Sequence, residues 1–258
     1  MTFNVLFLVL LFLFGSSIGS FINVLVDRYD KLHTIFTSQS KCEKCKKKIA
    51  FYDLIPIFSY FVLGGKCRHC RASIPKRVVL VEILTGISFV VVGVFIPFSS
   101  VFFSIILLLI VSSIMALFFV DLEHGILPDY LLIALAILSI LFNLNIGIIG
   151  LGVNFFVGLV LFAIFLALFL VTRGRGIGFG DVKFAFVIGL LLGFPNSLAA
   201  IYISFVLGAL VSILLIATGR KKMRGDTIPF GPFLAGGILV MLLFSERVYE
   251  FIFFIFNS

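Results

Sequence analysis

The chain has 258 residues, of which 62% are hydrophobic and only 12% charged, and its mean hydropathy is +1.28. These values lie far outside the range of soluble globular domains and define a polytopic membrane protein. The net charge of +8 would suggest a nucleic-acid partner in a soluble protein, but here its distribution reports orientation, and no nucleic acid is expected.

Apolar stretches of about 20 residues, the length that crosses a bilayer as a helix, fall at residues 3–26, 78–96, 101–120, 130–149, 151–172, 181–194, 197–217 and 231–257. The expected fold is all-α, with about eight transmembrane helices. The sixth stretch is short and "SERVYE" interrupts the eighth. Three parts are expected: a first transmembrane helix (1–26), a polar loop module (27–77) and a transmembrane core (78–258).

The first span follows "MTFN", which holds no basic residue, and precedes "DRYDK". That asymmetry predicts an outside N-terminus, and the missing charged n-region argues against a cleaved signal peptide. Of 20 Lys and Arg, 12 lie in residues 27–77, three in 173–183 and four in 220–224. Threaded through the eight spans, these groups share one face, which the positive-inside rule makes cytoplasmic. Gly15 and Gly19 in the first span, and Gly189 and Gly193 in the sixth, have the G-x-x-x-G spacing of close helix packing.

The polar loop holds all four cysteines, as "CEKC" (Cys42, Cys45) and "CRHC" (Cys67, Cys70). Two C-x2-C pairs separated by 21 residues are the pattern of a tetrahedral thiolate zinc site. Two disulfides are the alternative, but they rarely persist on a reducing cytoplasmic face. Four sulfurs leave no open position for water, so the Zn2+ is expected to be structural, with His69 a bystander. A segment of this size needs such a staple to fold.

Five acidic residues stand at predicted membrane edges: Asp121, Glu123 and Asp129 in "DLEHGILPD", Asp181 in "GFGD", and Asp226 in "GDTIPFGP". An acid there costs up to about 3 kcal/mol on insertion scales, so it marks function or a paired structural site. Between Asp121 and Asp181 the chain crosses twice, which returns both to one face. Two carboxylates within reach share a proton: one activates water while its protonated partner polarises a carbonyl. Gly178 and Gly180 would let a substrate backbone approach Asp181, and Pro229 and Gly231 in "IPFGPF" would break a helix and open a groove. Other readings stand beside these. Asp129, after Pro128, and Asp181 are both placed to cap helices, and His124 is either a proton carrier or an incidental loop residue. Asp121, at the C-terminal end of its span, sits badly with the helix dipole. The residues alone leave open an aspartate dyad or a paired-carboxylate ion or proton site, as in a transporter, or a non-enzymatic assembly module.

Several motifs in order, "GSSIGSFINVLVDR", the cysteine pairs, "DLIPIFSY", "RVVLVEILTG", "DLEHGILPD", "GFGDVK" and "IPFGPFLAGG", resemble those of the type IV prepilin peptidases, membrane aspartic proteases of the G-x-G-D type. The resemblance implies that Asp121 and Asp181 are the catalytic pair. It also implies cleavage of a short basic leader from pilin or pseudopilin precursors, after a glycine, at the cytoplasmic face of the bacterial inner membrane. Many members also methylate the new N-terminus with S-adenosylmethionine. That second activity rests on the resemblance alone, and no residues are assigned to the methyl donor. "RYD" at 28–30 departs from the proline many relatives have after the arginine, outside the motifs that carry the acids.

Overall fold

The computed structural model describes residues 5–31, 33, 35, 39–96, 100–218 and 228–257. Among them there is no β-strand; two isolated bridges in the polar loop are the nearest approach to one. The chain divides into two compact units, Met1–Phe98 and Ser99–Ser258.

The first unit is a helix hairpin with a long loop. Helix α1 (Val5–Asp27) packs along α3 (Lys76–Phe95), and between them lie a 3-10 turn at Phe51–Leu54 and the short helix α2 (Phe58–Val62). The first G-x-x-x-G acts as its spacing predicts. A Cβ on Gly19 would lie 2.7 Å from the Glu82 Cα, and one on Gly15 would lie 2.9 Å from the Thr85 carbonyl oxygen. Backbones this close exclude any larger residue. The Asn23 amide donates across the seam to the Val78 carbonyl at 3.0 Å. Helix α3 thus groups with α1 and the loop.

The second unit contains α4 (Val101–His124), α5 (Asp129–Asn143), a 3-10 turn (Leu144–Ile146), α6 (Gly147–Val171), α7 (Phe179–Leu192), α8 (Asn196–Ala217) and α9 (Gly231–Asn257). Ser100 caps α4 by accepting the Phe103 N–H at 3.2 Å. At its other end Gly125 adopts φ +66 and closes the helix. The helix runs one turn past the span predicted at 101–120, so Asp121 lies within its last turn. Asn143 and Gly147 end the predicted fourth span and start the fifth inside one 43-residue apolar run, Asp129–Val171. Among the described residues, six helical runs are long and apolar enough to cross a membrane. The run in α9 extends over Gly231–Val248, and the helix bends at Phe244, within "FSERVYE".

Helix α7 is the exception and the centre of the unit. Its 14 residues reach about 21 Å at 1.5 Å per residue, short of the roughly 30 Å hydrocarbon core. Val182, Phe184, Ala185, Val187, Ile188 and Leu190 are all buried, because α5, α6, α8 and α9 pack around it. Its closest neighbour is α6, where a Cβ on Gly189 would stand 2.5 Å from the Gly158 Cα. Its C-terminal carbonyls therefore end in apolar surroundings, where water cannot satisfy them. Asn143 does so instead: its side-chain amide donates to the Leu190 and Leu191 backbone carbonyls at 2.9 and 3.2 Å, and the Asn154 side-chain amide donates to the Asn143 side-chain oxygen Oδ1 at 3.2 Å.

Candidate active site

Asp181 lies in the first turn of α7 and Asp121 in the last turn of α4. Both are buried, at 8% and 5% exposed, and both line one cleft of about 460 Å³ together with the 125–129 loop, Gly178, Phe179, Gly180 and Lys183. The two motifs read from the sequence thus converge on one cavity.

Backbone lies against each acid. Asp181 Oδ2 accepts the Gly178 N–H at 3.1 Å, so this acid does cap its own helix, reaching back from the third helical position. Capping and cleft-lining are one arrangement here, not alternatives. The Asp121 carboxyl lies beside the Gly231 amide at the start of α9. Its Oδ2 is buried with no hydrogen-bond partner among the described residues. An orphaned buried carboxylate oxygen is costly unless a proton or a further partner reaches it.

The glycines have separate tasks. A Cβ on Gly231 would lie 2.5 Å from Asp121 Oδ2, and one on Gly180 would lie 3.1 Å from the Leu127 Cβ. Gly180 therefore lets the 125–129 loop close against α7, and Gly231 lets α9 reach the carboxylate. Pro229 precedes α9 and is half-buried. Asp129 does not cap α5; its carboxylate pairs with Lys183. Lys183 is the cleft residue sequence reasoning passed over, and its signal was its place two residues after Asp181 in "GFGDVK". Glu123 and His124 are exposed at the end of α4. Asp226 lies outside the described residues.

In the first unit the four cysteines form a candidate metal centre. Their Sγ atoms lie within 4.8 Å of one another, with Cys42 and Cys70 3.7 Å apart. Four thiolates around a tetrahedral ion at about 2.3 Å would stand about 3.8 Å apart, so the donor set fits zinc. All four are free of disulfides. The knuckles repeat: the Cys42 and Cys67 amides donate to the carbonyls of Lys47 and Ala72, and Lys46 and Arg71 take φ +58 and +59. Arg68, in the second knuckle, clamps both oxygens of Asp53 at 2.6 to 3.2 Å and lies over the Tyr52 ring. The guanidinium holds the Asp53 carboxyl below the usual carboxylate range.

Fold and cleft together define an all-helical, multi-pass membrane protein with two buried carboxylates lining one cleft. The comparisons narrow this. The profile of the bacterial peptidase A24 N-terminal domain matches residues 13–96, and that of the type IV leader peptidase family matches residues 108–213. The "Prepilin leader peptidase/N-methyltransferase" of Aeromonas salmonicida (strain A449) is 32% identical over 272 residues, covering 94% of this chain and 92% of the relative. Proteins of the same name from Pseudomonas aeruginosa PAO1 and Bacillus subtilis (strain 168) are each 29% identical, covering 92% and 94% of this chain and 90% and 96% of their own. No solved structure matches. The chain belongs to the type IV leader peptidase family and is a membrane peptidase.

Proposed function

We propose that the protein removes the short basic leader from type IV prepilins or pseudopilins, cutting after a glycine and before the hydrophobic pilin helix, at the cytoplasmic face of the inner membrane. Asp121 and Asp181 are the catalytic pair. One carboxylate takes a proton from water, which attacks the peptide carbonyl, while the protonated partner donates a hydrogen bond to the carbonyl oxygen and then its proton toward the leaving amine. The observation that carries this reading is the convergence of the two buried acids on one cleft, with Asp121 Oδ2 unpartnered among the described residues. The glycines around the acids leave backbone exposed, which suits an extended peptide lying close to them. The basic excess of residues 27–77, 173–183 and 220–224 supports a cytoplasmic site.

The same reading adds N-methylation of the new N-terminus, with S-adenosylmethionine as donor. Its support is the double name shared by the relatives and a match that extends through the N-terminal domain. The cysteine centre holds zinc as a structural ion.

Mass spectrometry of a prepilin co-expressed with the wild-type chain should show loss of the leader and gain of one methyl group. Asp121→Asn and Asp181→Asn should each abolish leader removal while the protein still inserts. Full cleavage by both single variants would sink the dyad, and a cleaved but unmethylated product would remove the second activity alone.

A further inference from the structure

Between the two cysteine knuckles the chain runs through "FYDLIPIFSYFV", residues 51–62, the most apolar part of an otherwise polar loop. These side chains build no core. Phe51, Phe58, Phe61 and Val62 are 84%, 64%, 67% and 62% exposed. In α2 the spacing of Phe58, Phe61 and Val62 puts all three on one face. A contiguous aromatic surface of this kind marks an interaction site rather than a water-facing one.

What covers it follows from where the segment is tied. Arg77, at the start of α3, pairs with Asp27, the last residue of α1, and this pair forms a charged rim on the helix hairpin. Glu82 follows one to two turns deeper along α3, about 8 Å at 1.5 Å per residue, and is buried. Its Oε2 accepts the Ile57 N–H at 2.7 Å. Ile57 takes φ +64, a conformation a β-branched residue adopts only when its surroundings impose it. The turn that opens α2 is thus drawn out of the loop and pinned against the flank of two apolar, membrane-length helices. Its level is between the charged rim and about 8 Å past it, the depth of the headgroup and upper acyl region. Charge agrees: residues 27–77 carry 12 basic and four acidic side chains, and Lys66, Arg71 and Lys76 flank the aromatic run, which favours an anionic surface.

From this placement we infer that residues 51–62 are an interfacial anchor, seated in the anionic headgroup–acyl boundary of the bilayer with Phe51, Phe58, Phe61 and Val62 toward the lipid. Glu82 sets its depth, and the knuckles stay above it over the headgroups. The cysteine-held loop is thereby fastened to the membrane surface at its middle as well as at both ends. The anchor is independent of the cleavage chemistry.

The chain contains no tryptophan, so Phe58→Trp and Phe61→Trp each place a single fluorophore in the full-length protein. Reconstituted into phosphatidylglycerol–phosphatidylcholine vesicles, both should be quenched about twofold or more by lipids brominated in the upper acyl chain and resist aqueous acrylamide, as interfacial residues do. Lys48→Trp, on the exposed edge of the first knuckle, should show the opposite pattern. Glu82→Leu removes the acceptor that ties Ile57 and should weaken bromolipid quenching at residue 58 in a protein that still inserts. Emission at 58 and 61 that ignores brominated lipid overturns the proposal. If it is then open to acrylamide the face is in water, and if shielded from both quenchers it is covered by protein.

Discussion

Gly231 is the residue on which the candidate site turns most sharply. One added carbon there would stand 2.5 Å from Asp121 Oδ2 and 3.1 Å from the Leu127 Cδ2, so Gly231→Ala must rotate the carboxylate or push α9 away. A misplacement near 1 Å at a reacting group can cost about a hundredfold in rate. Gly231→Ala should therefore lower kcat for leader cleavage by about tenfold or more with KM little changed, measured on purified protein with a synthetic prepilin peptide. Gly178→Ala is the contrast, because its Cβ would meet Asp181 Oδ2 at 3.3 Å from a φ of −75, so only a few-fold loss is expected. The two aspartates were legible in the sequence because topology and spacing brought them to one edge. The Asp129–Lys183 pair and the Gly231 contact were not, since each joins residues far apart in the chain and depends on how α5, α7 and α9 pack.

At the scale of elements, the short helix α7 carries the clearest energetic argument. A helix that stops inside the apolar layer leaves carbonyls without water, and the Asn143 amide supplies their partners. Asn143→Ala should destabilise the protein by about 1–3 kcal/mol, the cost of buried polar groups left unpaired. In a detergent thermal melt that corresponds to a drop of roughly 2–4 °C per kcal/mol for a domain of this size. The sequence showed that the sixth span was short. It could not show why this is tolerated, because a stretch of hydrophobic residues reads alike whether it faces lipid or four neighbouring helices. The G-x-x-x-G spacings fared better in part: Gly15, Gly19 and Gly189 sit where backbones touch, whereas Gly193 ends its helix at φ +63 against the Asn154 side chain and packs no backbone.

For the whole molecule, the division into two units predicts separable losses. The purified protein should carry one zinc per chain by metal analysis. Cys67→Ser should release it and open residues 42–70 to limited proteolysis, because three thiolates no longer close the site. Leader cleavage should survive in that variant, since Asp121, Asp181 and the backbone groups that hold them all lie in residues 99–258. The cysteine cluster was legible because two C-x2-C pairs need no tertiary context to be recognised. The grouping of α3 with α1 was not, for it rests on packing between helices separated by the whole loop. The Gly231 contact also bears on biogenesis. The backbone beside Asp121 belongs to α9, and α7 is enclosed partly by α8 and α9, all synthesised after both aspartates except α7's own first turn. The last helix in the chain thus supplies a neighbour of the first acid, so the packing that fixes the Asp121 carboxylate is complete only when α9 has joined the bundle.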